Sequence, residues 1–314
     1  MINQKTVLIL GAGASMPFGF PSGQDLVALI DNMLFDIQSE TCVLLKRHGY
    51  DEELIQKFRE HLIYSGRSSV DEFLEHRTEF LDIGKEVIVA ALLDFEKSLK
   101  LFDKAMKDNW YQHLFSLLNI SFNEFDQNKL AIITFNYDRS LEYYFSAALC
   151  FAYGKNIEEC AEKLNKIPIV HVHGKLGRLP WEKSKYSEIP YDMHDYPDQK
   201  DLMIRNGSKN INIIHENIEK NEEFDQAHQL INEAERIYFL GFGYHPTNLA
   251  RLIGNLSPRI NKEIGGTTFG MSLSAKNTAM NKIARFKPNV NSTYFERNFF
   301  DREIYEYLYD YVTL

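Results

Sequence analysis

Small and polar residues gather in this chain where apolar runs stop, and four such places carry side chains suited to chemistry on a nucleotide. Gly11-Ala12-Gly13-Ala14-Ser15 follows Thr6-Val7-Leu8-Ile9-Leu10, with Gly19-Phe20-Pro21 close behind. A turn of small residues lets the backbone, and the N-terminus of the next helix, approach a diphosphate. Thr134, Asn136 and Asp138 close the run Leu130-Ala131-Ile132-Ile133 and are candidates for ribose or nicotinamide contacts, although capping and turn formation would use the same residue types. His171 and His173 share one face of Pro168-Ile169-Val170-His171-Val172-His173. His173, the last residue before Gly174, is the better placed to meet a ligand and accept a proton, whereas His171 reads as packing. Gly241-Phe242-Gly243 ends Arg236-Ile237-Tyr238-Phe239-Leu240, and Asn248 begins the helical region that follows. Glycines there permit close backbone approach to a ribose or phosphate.

The elements that must position these residues are buried strands. Uninterrupted β-prone apolar runs suit a parallel sheet covered on both faces. The ordinary dinucleotide fingerprint does not fit, because Met16 and Pro17 stand where its last small residue and helix should be, and no strand with an acidic end follows about twenty residues on. Asp25 and Asp31 fall instead within a helical pattern set by Leu26, Leu29, Ile30, Met33 and Leu34. Residues 24–119 read as helical throughout, too long for a simple βαβ crossover. They form an insertion or subdomain within a single domain of residues 1–314, expected to cover the glycine loop. Ser69 and Glu72 have capping-box spacing.

Further strands are expected at Ile211–Ile214, Thr267–Leu273 and Ser292–Phe295, with a helix near Phe224–Glu233. Residues 178–210, which include Trp181, read as an irregular lid or surface excursion. Phe299, Phe300, Ile304, Tyr307, Leu308 and Tyr311 recur at helical spacing and suit core or subunit packing. The expected fold class is α/β, a Rossmann-like, mostly parallel sheet of about six to seven strands flanked by helices.

Composition narrows the function classes. With 44% hydrophobic and 25% charged residues the chain is ordinary for a globular protein. Asp+Glu 44 against Lys+Arg 35 gives a formal charge of −9 without a long basic run, which argues against nucleic acid as a direct partner. Cys42, Cys150 and Cys160 are widely spaced, so no disulfide framework, zinc ribbon or other metal site is expected, and a reducing cytoplasm fits. No signal-like or membrane-spanning run is present.

Taken in order, the four strand ends resemble the SIR2 (sirtuin-like) family, in particular the bacterial SIR2-type NADase effectors of antiphage defence. Gly11-Ala12-Gly13-Ala14-Ser15 with Gly19-Phe20-Pro21 is similar to the family's GAG-x-S…G-x-P loop, Thr134-Phe135-Asn136-Tyr137-Asp138 to T-x-N-[IY]-D, His173-Gly174 to the HG pair, and Gly241-Phe242-Gly243 to the later ribose-binding turn. The resemblance implies NAD+ as substrate and hydrolysis of its nicotinamide N-glycosidic bond. Asn136 would hold the ribose or the water, and His173 would be the general base through a ribose hydroxyl or the water. Asp138 would contact the nicotinamide amide or hold the loop. Gly11, Ala12, Gly13 and Ser15, with Ala14 and Pro21 in the same loop, would cradle the diphosphate, and Gly241, Phe242, Gly243 and Asn248 would face the adenosine ribose.

Two departures separate the chain from the deacylating branch of that family. It has no cysteine after Cys160 to hold zinc, and Ile213-Ile214-His215-Glu216 stands where a peptide-docking F-G-E segment would be. Protein deacylation, ADP-ribosyl transfer and non-catalytic NAD or ADP-ribose sensing are the alternatives. The many aromatics of residues 24–119 and of the C-terminal helix exceed what one sheet face needs, so a homo-oligomer or a complex with a separate sensor or activator protein is expected, and because unchecked NAD+ hydrolysis would be toxic, regulated activation is expected with it.

Overall fold

The computed structural model describes residues 1–118, 120–213, 221–253, 262–286 and 292–312. Its centre is a six-stranded, all-parallel sheet in the order β3-β2-β1-β4-β5-β6. The strands are β1 (Thr6–Leu10), β2 (Leu130–Thr134), β3 (Ile169–His171), β4 (Arg236–Leu240), β5 (Glu263–Thr267) and β6 (Phe299–Phe300). This is the doubly wound order, with the direction of winding reversing between β1 and β4, so a crevice opens at the carboxyl ends of the central strands. All five residues of β1 and of β2 are buried, which is why both read as apolar without alternation.

The two-residue period of the strands divides the core. Leu8, Leu10, Leu130, Ile132, Tyr238 and Leu240 face one side; Val7, Ile9, Ala131, Ile133, Ile237 and Phe239 face the other. The first side is covered by the expected helical insertion: α1 (Gly23–Phe35), α2 (Glu40–Arg47), α3 (Glu52–Tyr64), α4 (Val70–Leu74), α5 (Leu81–Leu93), α6 (Ser98–Leu101) and α7 (Trp110–Leu117). Its aromatics pack mostly on one another, as where Phe58 meets Phe73 and Phe80 edge-on. Ser69 caps α4 by accepting the Glu72 N–H, while the Glu72 carboxylate accepts from Ser68 rather than closing the box.

After β2 come α8 (Ser140–Tyr153) and α9 (Ile157–Leu164), then, past β3, α10 (Lys200–Ser208) and α11 (Glu222–Glu233). Residues 178–210 are no loose excursion. Leu179, Ile189, Tyr191, Met193, Met203 and Ile204 are buried, and α10 packs against α5. The apolar residues there are too irregularly spaced to show a period.

Three expected strands are corrected. Ile211 makes only a single antiparallel bridge to Gly174, and Ile214 lies outside the described residues. The strand expected from Thr267 lies earlier, as β5, and Leu273 instead starts a helix. After α12 (Pro246–Ile253) and α13 (Leu273–Phe286), Ser292 opens α14 (Ser292–Asn298), and the strand pairing begins only at Phe299. α15 (Ile304–Asp310) then carries Ile304, Tyr307 and Leu308 into the core, while Phe299 and Phe300 belong to the sheet.

Candidate functional site

Where β1 ends, the chain does not enter a helix. It makes two tight 3-10 turns, Ala12–Ala14 and Met16–Phe18, and reverses at Gly19 with φ +96°. Pro17 starts the second turn and suits its fixed φ. Helix α1 begins only at Gly23, capped by Ser22, and the Asp25 carboxylate takes the Ser22 N–H in return. The nearest helix N-terminus therefore carries its own carboxylate.

The glycines of the loop are used for contact between chain segments. Gly13 N–H donates to the Gly241 carbonyl (3.0 Å), and a Cβ on Gly13 would lie 2.8 Å from the Gly241 Cα. A Cβ on Gly11 would lie 2.7 Å from the Gly241 carbonyl oxygen. Gly11 N–H donates to Leu240, Ala14 N–H to Gly11 and Ser15 N–H to Ala12. Four of the five backbone donors expected to cradle a diphosphate are thus taken up by the protein itself.

The side chains at the ends of β1 and β2 form one hydrogen-bonded chain. Ser15 Oγ donates to Asp138 Oδ2 (2.7 Å), and Asn136 Nδ2 donates to Ser15 Oγ (3.0 Å) and to the Gly11 carbonyl (2.9 Å). Thr134 Oγ1 accepts the Asn136 N–H (3.1 Å) from its buried position, a turn-forming role. Asp138 Oδ1 accepts from Ser140, whose hydroxyl also meets Tyr111 Oη at 2.7 Å. Burial pushes the Asp138 carboxyl above its ordinary range, against these hydrogen bonds. The helical insertion braces the same loop, since Trp110 Nε1 donates to the Ala14 carbonyl (2.8 Å) and Tyr111 stacks on Phe18 (4.0 Å).

Beside this chain lies a cleft of about 490 Å³ lined by Ala12, Ser15, Pro21, Asn136 and Asp138 among the expected residues, together with Phe20, Asp71, Phe135 and Tyr137. Asp71, which the sequence suggested only as part of a helix start, accepts a 2.5 Å hydrogen bond from Tyr137 Oη, and burial raises its pKa. A larger cleft of about 910 Å³ runs along the outer edge of β3, but the charged groups at its floor are already paired: Lys175 with Glu142 and Glu182, and His171 with Glu142.

The two histidines differ sharply. His171 Nδ1 lies 2.8 Å from the Asn136 carbonyl and Nε2 lies 2.7 Å from Glu142 Oε1, so both ring nitrogens face acceptors. Burial works against ionised Glu142, yet the facing His171 and Lys175 hold its carboxyl well below the usual range. His173 is 6% exposed and sits edge-on between Phe135 (5.4 Å) and Phe224 (5.8 Å), with no hydrogen bond to Nε2. Burial, helped by the positive charge of Arg251, pulls its pKa down to about 3.

Asn136 and His173 are therefore not together. The Phe135 ring lines the cleft and also meets His173, which does not line it. Gly241, Phe242, Gly243 and Asn248 lie on the His173 side: Phe242 touches Phe135 (5.1 Å), Gly241 is locked against the Gly13 backbone, and a Cβ on Gly243 would meet nothing within 4 Å. Sequence reading missed Arg251 and Glu75 in this region. Arg251 is three residues after Asn248, so the helical period alone could have placed it on the same face. No protein-family model matches the chain, and no curated protein matches it.

Proposed function

We propose that the chain is a NAD+ hydrolase of the SIR2-like kind, releasing nicotinamide and ADP-ribose, and that it serves in the cytoplasm as a regulated antiphage effector that depletes NAD+. The observation that carries this reading is the chain Gly11–Asn136–Ser15–Asp138 beside a cleft at the carboxyl ends of β1 and β2 in a doubly wound sheet. It holds an amide and a hydroxyl in fixed positions where ligands of such sheets bind.

The nicotinamide ring leaves as a neutral molecule, taking the electron pair of the C1′–N bond, so the step needs no acid. Positive charge grows on the ribose, as in glycoside cleavage, and oriented oxygens stabilise it. Asn136 Nδ2 is occupied, but among the described residues Oδ1 takes no hydrogen bond and is left to orient the attacking water or a ribose hydroxyl. As the water bonds to C1′ it gives up a proton. His173, neutral and across the Phe135 ring from Asn136, would receive that proton through a ribose hydroxyl.

The test is nicotinamide released from NAD+ with water as the only acceptor. Asn136→Ala is expected to lower turnover by about two to four orders of magnitude with the fold retained. A purified protein that binds NAD+ and releases none would overturn the enzymatic reading in favour of a sensing module. Two observations favour that second reading: the loop donors and the Asn136 amide are engaged, and among the described residues no carboxylate raises the basicity of His173.

A further inference from the structure

Four buried polar atoms without a hydrogen-bond partner lie beyond the cleft just described: His173 Nε2, Asn248 Oδ1, Arg251 Nη1 and Glu75 Oε1. They belong to one neighbourhood. Arg251 lays its guanidinium over the Phe224 ring at 4.7 Å, His173 meets the same ring at 5.8 Å, and Asn248 is one helical turn before Arg251. The field of Arg251 reaches His173, and that of Glu75 reaches Arg251, yet among the described residues no ion pair joins Glu75 to Arg251.

A cation and a carboxylate close enough to feel each other's charge, with no ion pair between them and an unsatisfied buried atom on each, are costly unless something completes them. The other cations of this region are already paired, Arg139 with Glu96 and Lys175 with Glu142 and Glu182. The glycine loop spends two backbone donors on its own carbonyls and two on those of Leu240 and Gly241, and offers little to a phosphate. A guanidinium resting on an aromatic face with a free N–H edge is suited to a phosphate oxygen, and the neighbouring Asn248 carbonyl to a ribose hydroxyl.

We propose that Arg251 and Asn248 form the subsite that recognises a nucleoside phosphate, so that the charge of the ligand's phosphate is met by α12 and not by the glycine loop. The inference rests on the dinucleotide reading for the identity of the ligand, but phosphate recognition is testable without any catalysis. On that view the nicotinamide end lies at Asn136 and the phosphate end at Arg251, with Phe135 between them.

The experiment is calorimetric titration of the full chain with ADP-ribose, AMP, nicotinamide mononucleotide, inorganic diphosphate and nicotinamide. Arg251→Gln is expected to weaken ADP-ribose binding by about ten- to a hundredfold, the usual size of one charge-assisted contact, and to leave nicotinamide binding unchanged. Its melting temperature should stay close to that of the parent, because the half-buried Arg251 makes no ion pair among the described residues. A purely structural arginine would lower it. Arg251→Lys should keep part of the affinity, which decides the matter if the glutamine variant does not fold. Comparing AMP with nicotinamide mononucleotide shows which phosphate is held, and diphosphate alone shows whether the sugar is needed.

Unchanged ADP-ribose affinity in folded Arg251→Gln, or a parent protein that binds none of the phosphate compounds, would overturn the proposal. A parent that binds ADP-ribose through Arg251 but releases no nicotinamide would uphold it and sink the hydrolase reading alone.

Discussion

His171 and His173 lie two residues apart and carry opposite electrostatics, because one is surrounded by acceptors and the other by aromatic rings. His171 reaches the Asn136 carbonyl, so it positions the residue on which the proposed step depends and does more than pack. His171→Ala is expected to leave Glu142 facing Lys175 alone and to destabilise the fold by about 3 kcal/mol, as breaking a buried pair does, with turnover falling as the Asn136 turn loosens. His173→Ala should lower nicotinamide release by about two to four orders of magnitude and, because a ring packed against Phe135 and Phe224 is replaced by a cavity, cost about 2 kcal/mol, less than His171→Ala. If melting curves and nicotinamide assays gave the reverse order, the assignment of the two histidines would be wrong. From the sequence the strand-end His173 looks the better placed to meet a ligand, but in the fold it is buried edge-on against Phe135 and Phe224, while His171 lines the larger cleft. Which rings surround a strand-end histidine depends on rotamers and not on spacing.

At the scale of elements, the ends of β1 and β4 interlock and cannot be described separately. Gly241 has φ +58°, and a Cβ there would lie 2.3 Å from Ala14 N. Neither the left-handed backbone nor the clash with main chain can relax, so Gly241→Ala is expected to cost more than about 2 kcal/mol and to disturb the Ser15–Asn136 contact. Gly243→Ala, with open space around it, is the matched control, and chemical denaturation of the two variants measures the difference. β1, β2 and β4 were legible because central parallel strands are buried on both faces and must be apolar throughout. β5 was not, since its Gly265 and Gly266 carry no apolar signal. Both are there because a Cβ would strike Tyr307 Oη at 2.5 Å or the Phe239 carbonyl at 2.4 Å. Ser292–Phe295 looked like a strand from its aromatics, but Tyr294 packs from a helix and uses its hydroxyl on Ile264.

For the whole molecule, the helical insertion and the sheet are joined by buried polar contacts as well as by apolar packing, Trp110 to the glycine loop and Glu96 to Arg139 among them. Most aromatics of the insertion are satisfied within the chain, while Phe35 (71% exposed), Tyr64 (87%) and Phe102 (42%) are exposed, as are Phe151 (89%), Phe269 (65%) and Tyr309 (66%) outside it. The fold as a unit should also respond to acid through His173. In the unfolded chain this histidine titrates near 6.5, whereas in the fold burial holds it neutral down to about 3. A lowered folded pKa means that the unfolded state takes up the proton first, so the stability it confers is complete above about pH 6.5 and is lost as pH falls from there toward 3. At pH 5 the loss from this group alone is about 2 kcal/mol. Glu142 acts in the same direction, but only below the carboxylate range near 4.5, whereas the raised carboxyls Asp71, Asp138 and Glu96 act in the opposite direction above their ordinary values; a variant that changes only residue 173 keeps all four, so the difference between the two proteins isolates the histidine. His173→Leu fills the same aromatic surroundings without a proton to bind. Thermal melts at pH 7 and pH 5 should show wild type losing about 2–4 °C per kcal/mol relative to this variant. Parallel curves for the two proteins across that interval would mean that His173 is hydrated in solution, and would remove the neutral imidazole from the proposed site.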